Sequence, residues 1–358
     1  MSIYIFLLIL ILFFYFLENS SYAKKNIDNN KIVLFIFSII FIICSLRNSS
    51  VGRDIPGYKI IYELTKDVEF NNFNYVYFEN GYLFLSKVCI LLGLNFQWFI
   101  AICYLIILLP LYIFINKYSK DKIFSIIIFV CYMYFEFDLT GLRQAMSMSI
   151  SIWGFMILIG ERRYKILYFI LIILIASLFH KGAYICYIVL LLLYIKNIVY
   201  FSISLFAVSV ISLSIRKYLF VHIKTFFGKQ SFSTDANLYI GLNIIFLIIV
   251  GISFLIIQIQ EDKIEDIQPN KITNIYLLKL YLTSISIALF FGQETSARSF
   301  MYLNQSFFVL LPNYINKFSK KNQLFISSLF ISFFLCIFIN ALLANSFDII
   351  PYKFYWQK

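Results

Sequence analysis

Long apolar runs alternate with short polar segments along almost the whole chain. About 17–25 mainly apolar residues in a helix cross a bilayer, and shorter runs can do so when their ends snorkel. This pattern predicts spans at residues 3–17, 32–46, 96–115, 123–138, 142–160, 166–179, 183–195, 198–215, 238–259, 272–291, 299–315 and 324–343. We therefore predict an all-α fold, a polytopic integral membrane bundle of about 12 transmembrane helices that forms one transmembrane domain over residues 1–358.

Basic residues mark the orientation of this bundle. The short loops at 18–31, 116–122, 161–165 and 317–321 carry three Lys or Arg each, and such loops lie on the cytoplasmic side. Both termini are then external, and the net acidic loop Gln260–Lys271 is still cytoplasmic because acids contribute little to the rule. Residues 1–23 also resemble a cleavable signal peptide, although no basic residue precedes their apolar run.

Composition excludes several classes of protein. Of the 358 residues, 61% are hydrophobic and only 13% are charged, which a water-soluble fold could not cover with polar surface. The net charge of +12 is scattered between apolar runs, so it marks topology and predicts no nucleic-acid partner. The six cysteines form no CxxC pair, and we predict neither a metal site nor a disulfide framework.

Two predicted external segments are long enough to carry function. Residues 47–95 form a long external loop, in which Tyr58, Ile61, Tyr62 and Thr65 share one helical face. That spacing predicts an interfacial helix, and a second interfacial or re-entrant helix is predicted at Tyr82–Leu92. Residues 216–238 form a basic external loop, which the usual charge bias does not explain.

Arginines concentrate at the predicted outer face. Of seven, only Arg162 and Arg163 are predicted to be cytoplasmic, and the other five are Arg47, Arg53, Arg143, Arg216 and Arg298. Because a guanidinium binds phosphate or carboxylate through a planar fork, an anionic ligand is one interpretation. The alternative is that these side chains snorkel to lipid phosphates.

Polar residues at helical spacing continue inward from two of these arginines. Gln144 and Ser147 follow Arg143, Tyr302 and Gln305 follow Arg298, and Lys279 begins a similar stripe on a third helix. Polar side chains in lipid face the bundle interior or a wet cavity, which predicts a shared cavity that opens outward. Interhelical hydrogen bonding is the alternative explanation.

Three further residues are candidates for proton transfer. His180 ends a predicted span, and its ordinary pKa near 6.5 suits acid–base chemistry, although an interfacial histidine is often only an amphipathic end group. Glu79 and Asp54 lie in the long external loop, where a carboxylate could orient an arginine or accept a proton from a sugar hydroxyl.

Short motifs in a fixed order resemble those of the EpsG family of Wzy-like polysaccharide polymerases. They are Val51-Gly52-Arg53-Asp54-Ile55-Pro56-Gly57-Tyr58, Phe78-Glu79-Asn80-Gly81-Tyr82, Gly141-Leu142-Arg143-Gln144, Phe179-His180-Lys181-Gly182, Arg298 and Pro351-Tyr352-Lys353-Phe354. The family often has a small polar residue where Arg53 stands and usually a proline where Asn80 stands. These differences make Arg53 a weaker candidate than Arg143 or Arg298.

The resemblance implies a polymerase of exopolysaccharide, capsule or O-antigen repeat units in the bacterial cytoplasmic membrane. Its substrates would be undecaprenyl-pyrophosphate-linked oligosaccharides, and it would need no cofactor. Its partners would be membrane lipids together with a flippase and a chain-length regulator of the same pathway. On this interpretation Arg143, Arg298, Arg53 and Arg216 bind pyrophosphate, and His180, Glu79 and Asp54 are the catalytic candidates.

Three other activities are alternatives to polymerisation. A lipid-linked oligosaccharide flippase would need basic residues along both halves of its cavity, whereas the polar stripes here concentrate at the outer end. A glycosyltransferase that uses polyprenyl-phosphate sugars would place an essential acid and a metal in the first external loop, where Asp54 stands. A sugar acyltransferase would need a catalytic histidine deeper in the bundle.

Overall fold

The protein is helical throughout the part of the chain that the structure describes. This structure is a computed structural model, and it describes residues 1–19, 28–68, 78–214, 242–262, 269–291 and 293–357. The helices are α1 (Ser2–Asn19), α2 (Asn29–Ser45), α3 (Ile55–Leu64), α4 (Asn80–Leu91), α5 (Phe96–Tyr118), α6 (Lys122–Cys131), α7 (Tyr134–Asp138), α8 (Leu142–Ile159), α9 (Lys165–Ser177), a 3-10 helix (Lys181–Tyr187), α10 (Ile188–Leu192), α11 (Ile198–Ser214), α12 (Leu242–Asp262), α13 (Pro269–Phe291), α14 (Gln293–Asn304), α15 (Phe307–Ile315) and α16 (Lys320–Ala344).

Five helices among the described residues are long and apolar enough to cross a membrane. They are α5, α8, α16 and the segments Ile244–Glu261 and Lys271–Phe290 of α12 and α13. Most other predicted spans correspond to apolar helices of 10–17 residues, at or below the length that crosses a bilayer. The chain is a helical membrane protein, and the count of twelve spans stays a prediction.

Three predicted continuous spans are interrupted in the structure. The span at 123–138 divides into α6 and α7 at Met133, whose φ is +66°, and the span at 299–315 divides into α14 and α15. The span at 183–195 is a 3-10 helix followed by the short α10. The prediction of unbroken helices was wrong here. Apolar residues continue through the breaks at Met133 and after Tyr187, so hydropathy carries no signal of them, whereas the break after Asn304 falls on the polar residues Gln305 and Ser306.

Contacts group the predicted cytoplasmic segments at one end of the bundle. Lys122 Nζ donates to Asn30 Oδ1 at 2.5 Å, and Lys317 Nζ pairs with Glu261 at 2.6 Å. The Asn313 side chain donates to the carbonyl of Tyr118 at 3.0 Å. This grouping is what an alternating topology requires, and the outward orientation of the other end stays a prediction.

At the opposite end, the C-terminal segment packs on the start of the long loop. The backbone N–H of Gly52 donates to Asp348 O, and that of Arg53 donates to Phe347 O, each at 2.9 Å. The Thr140 hydroxyl also donates to Phe347 O, at 3.0 Å. Motifs that lie about 300 residues apart in the chain therefore form one surface.

The long loop contains both helices that its sequence predicts. In α3, Tyr58 and Tyr62 are buried whereas Lys59 and Glu63 are exposed, as the helical spacing indicates. The second helix is α4, and the Tyr82 hydroxyl donates to the Tyr58 carbonyl at 3.2 Å. The basic loop at 216–238 lies outside the described residues.

Candidate functional site

An ion pair between the long loop and α8 forms the centre of the candidate site. Glu79 immediately precedes α4, Arg143 is the second residue of α8, and Arg143 Nη1 contacts Glu79 Oε2. Their side chains are only 15% and 21% exposed, so solvent screens the pair less than it screens an open surface pair. The sequence offers no acid one turn along α8, and the partner comes from α4 instead.

Aromatic rings enclose the Arg143 guanidinium. Its central carbon lies 3.9 Å from the centre of the Phe78 ring and 5.8 Å from that of Tyr58, within range of cation–π attraction. Burial raises the pKa of the Tyr58 hydroxyl and the neighbouring Arg143 opposes that rise, so Tyr58 is neutral at neutral pH. Glu79 is therefore the anionic partner of Arg143 among the described side chains. Sequence reasoning missed Phe78, although it lies in the motif that contains Glu79.

His180 lies in the turn between α9 and the 3-10 helix and joins three elements. Its Nδ1 accepts the Gly182 backbone N–H at 3.1 Å and lies 3.0 Å from the Tyr302 hydroxyl of α14. That hydroxyl is 3.1 Å from Ser147 Oγ of α8, and Ser147 donates to Ala176 O at 2.8 Å. The network fixes the imidazole between α8, α9 and α14.

Burial and nearby charges determine the ionisation of His180. The pKa of the imidazole is lowered to about 4, chiefly by burial; Glu79 opposes this shift, and the cations Arg143 and Arg298 add to it. His180 is therefore neutral at neutral pH. Contacts bring these residues to one end of the bundle. Arg143 pairs with Glu79, the adjacent Gln144 donates to Arg298 O, and His180 contacts Tyr302, one turn after Arg298 on α14.

A close backbone contact brings two of the sequence motifs together. The Gly81 N–H donates to Leu178 O at 2.8 Å, and a Cβ at position 81 would lie 2.7 Å from that oxygen. A glycine is therefore required where α4 meets the end of α9. This contact brings the segment that contains Glu79 beside the segment that contains His180.

The predicted cavity-lining residues are buried and bonded to protein groups. Gln144 donates to Arg298 O at 2.7 Å, and Gln305 donates to Met148 O at 3.1 Å. Gln144, Ser147, Tyr302 and Gln305 are each at most 4% exposed. These contacts agree with the alternative of interhelical hydrogen bonding. The bond from Gln144 also holds the backbone of Arg298, which is itself an exposed residue.

Other predicted site residues lie apart from this centre. Lys279 donates to Ile195 O, and its Nζ lies 5.6 Å from the centre of the Phe201 ring. Arg53 pairs with Asp348 at 3.0 Å, and the two side chains are 59% and 56% exposed. Asp54 is exposed and precedes α3 without a side-chain capping bond.

Two further sequence predictions concern Arg216 and the absence of a metal site. Arg216 lies outside the described residues. In the described part of the chain, no three His, Cys, Asp or Glu side chains group as a metal site would, and the absence of a metal stays a prediction.

Arg47 has a structural position instead of a ligand-binding one. It is 0% exposed, its Nη1 donates to Leu139 O, and its guanidinium carbon lies 5.2 Å from the centre of the Tyr104 ring. Gly52 packs over the same carbonyl with φ +101°, and a Cβ there would lie 2.3 Å from Leu139 O. The sequence predicts only an outer-face position for Arg47, because it does not reveal burial at a helix end.

These features define a helical membrane protein with a charged polar site at one end of its bundle. The sequence model of the EpsG family matches residues 30–354, nearly the whole chain. The chain therefore belongs to the EpsG family. Neither a curated protein nor a solved structure matches it.

Proposed function

We propose that this protein polymerises polysaccharide by joining polyprenyl-pyrophosphate-linked oligosaccharide repeat units at the outer face of the bacterial cytoplasmic membrane. The product would be exopolysaccharide, capsule or O-antigen. Membership of the EpsG family supports a role in polysaccharide synthesis. The observation that carries the proposal is the grouping of Glu79, Arg143, His180 and Arg298 at one end of the bundle.

The proposed reaction is a glycosyl transfer between two lipid-linked substrates. A hydroxyl oxygen of the acceptor repeat unit attacks the anomeric carbon of the growing donor glycan. The bond from that carbon to the pyrophosphate oxygen breaks, and undecaprenyl pyrophosphate leaves with the electron pair. The hydroxyl proton passes to a base of the protein. The pyrophosphate linkage supplies the driving force, so we expect no cofactor.

Glu79 is the proposed base. One of its carboxylate oxygens contacts Arg143, and no hydrogen bond of the other oxygen is found among the described residues. The ion pair thus orients the carboxylate while one oxygen stays available to a hydroxyl, as general-base catalysis requires. Asp54 is more exposed and has no comparable positioning contact with the residues that the structure describes, which makes it a poorer candidate.

Arg298 is the proposed main contact of the pyrophosphate. Glu79 offsets the charge of Arg143, so Arg298 supplies the excess positive charge of the four-residue group. Negative charge develops on the leaving pyrophosphate, and a fixed cation beside it stabilises the transition state. Arg143 positions Glu79 and adds a second cation at the edge of the same site. We further propose that the protein works beside membrane lipids, a flippase and a chain-length regulator.

Deletion of the gene with analysis of the glycans tests this function. We expect single lipid-linked repeat units to accumulate at the outer face, with no polymer. Accumulation of the same units at the inner face would instead identify a flippase. Normal polymer in the deletion strain would refute both functions.

Variants of two exposed arginines test the site within that strain. Arg298→Ala should nearly abolish polymer, and Arg298→Lys should restore part of it because charge survives while the bidentate fork does not. Arg53→Ala is the matched control, since Arg53 is exposed at the same end but pairs with Asp348. Full-length polymer from Arg298→Ala at equal membrane abundance would refute the pyrophosphate assignment.

A further inference from the structure

We propose that His180 is a neutral hydrogen-bond donor, which presents Nε2–H to a phosphate oxygen of the lipid pyrophosphate. This inference rests on the proposed function and deepens it, because it names the ligand group that His180 contacts. It also replaces the expectation that His180 acts as the base.

The backbone of Gly182 determines which imidazole nitrogen carries the proton. Its N–H donates to His180 Nδ1 at 3.1 Å, and a backbone N–H cannot rotate its hydrogen away. An Nδ1–H would point at that hydrogen, so Nδ1 must accept. Residue 182 must also be small, since a Cβ there would lie 2.7 Å from Nδ1 and 3.1 Å from the Tyr302 ring.

The neighbouring hydroxyls adapt to this tautomer. Tyr302 lies 3.0 Å from Nδ1 and 3.1 Å from Ser147 Oγ, and each hydroxyl hydrogen can rotate to either neighbour. Ser147 also reaches the carbonyls of Ala176 and His180 at 2.8 and 3.3 Å. The network therefore holds the ring without imposing a proton on Nδ1.

In a neutral imidazole whose Nδ1 accepts a hydrogen bond, Nε2–H is the only remaining N–H donor. This group makes no hydrogen bond among the described residues, and His180 is partly exposed. The lone pair that a general base would use is engaged by Gly182, so the ring cannot readily take the proton of a sugar hydroxyl.

The charges around the ring favour an anion as its partner. Arg143 and Arg298 both act on the imidazole, and Glu79 is the carboxylate that opposes them. Because Glu79 is already paired with Arg143, a neutral N–H donor in the field of two guanidinium groups suits a phosphate oxygen. A neutral donor also adds no charge that would trap the product after transfer.

Nitrogen-15 NMR of the full-length protein tests the tautomer independently of any activity. The chain has two histidines, so a His222→Gln variant that still makes polymer leaves His180 as the single labelled residue. At neutral pH we expect Nε2 protonated and Nδ1 unprotonated, and the same pattern in Tyr302→Phe. A protonated Nδ1 would overturn the proposal.

The same sample tests the ligand. Farnesyl pyrophosphate should shift the Nε2–H resonance, whereas farnesol should leave it unchanged. Equal responses to the two compounds would overturn the phosphate contact, even if the tautomer is as proposed.

Two substitutions then separate donation from packing. Asn can accept the Gly182 N–H but lacks a donor at the Nε2 position, whereas Gln places an amide N–H near that position. We expect His180→Asn to lose about 100-fold or more of the polymerisation rate, and His180→Gln to retain at least tenfold more activity than His180→Asn. Equal losses would overturn the donor role, whereas failure of the deletion experiment would overturn the polymerase while leaving the NMR result intact.

Discussion

A single methyl group at position 81 should separate the two halves of the candidate site. In Gly81→Ala the new Cβ would lie 2.7 Å from Leu178 O, 2.8 Å from its carbonyl carbon and 2.9 Å from its Cβ. The second distance is roughly 0.7 Å shorter than the spacing at which carbon atoms pack best. Because the main obstacle is backbone, the end of α9 must move away from α4, and the Gly81 N–H bond to Leu178 O must lengthen.

The cost of this movement divides between stability and rate. Overpacking of this kind costs about 1–3 kcal/mol, which a folded protein can survive. A displacement approaching 1 Å between positioned catalytic groups can cost about 100-fold in rate. We therefore expect Gly81→Ala to reach the membrane and to lose about 100-fold in polymer formation, because Glu79 and His180 lie on opposite sides of the displaced contact.

Gly57→Ala is the matched control, since that glycine is also in the long loop. A Cβ at Gly57 meets nothing within 4 Å, and alanine favours α3 by up to about 1 kcal/mol. The assay is polysaccharide chain length in the deletion strain at equal membrane abundance, with thermal unfolding in detergent for stability. Normal polymer from Gly81→Ala, or equal loss in both variants, would refute the reasoning.

Four further predictions concern the proposed base, metal dependence, the pH dependence of stability and the membrane topology. Glu79→Gln should reduce polymerisation by about 10²–10⁴-fold, and a normal rate would remove Glu79 as base. Polymerisation in liposomes should survive EDTA, and its loss with recovery in magnesium or manganese would favour a metal-dependent transferase with Asp54 as a ligand. Burial is the main reason that the pKa of His180 is lowered from 6.5 to about 4, so between these two pH values the unfolded chain binds more protons than the folded protein. The free energy of unfolding should therefore fall by an amount on the order of 3 kcal/mol as the pH decreases from 6.5 to 4. The His180→Asn variant should not show this decrease. Alkaline-phosphatase fusions after Lys66 and at Lys358 should be active and those after Lys120 and Lys320 inactive. An inactive fusion at Lys358 would contradict the predicted topology.

The sequence alone determined the class of the protein and many of its candidate site residues. The apolar runs indicate a helical membrane protein. Lipid cannot hydrogen-bond to exposed backbone groups, so each segment in the bilayer must satisfy its own backbone by forming a helix. The ordered motifs identified the EpsG family, and spacing alone located the buried face of α3 at Tyr58 and Tyr62. Arg143 and Arg298 are predicted from the outer-face arginines and the polar residues that follow them at helical spacing. His180 is predicted from its place at the end of a span, and Glu79 from its place in the long external loop.

Only the tertiary structure decided how these residues act on one another. Hydropathy could not reveal the break at Met133, since the flanking residues are apolar on both sides. Nor could it show that Arg143 pairs with Glu79, or that Arg47 is buried against Leu139. These relationships join residues more than 60 positions apart, and charge pairing depends on distance in space, which local sequence patterns do not encode.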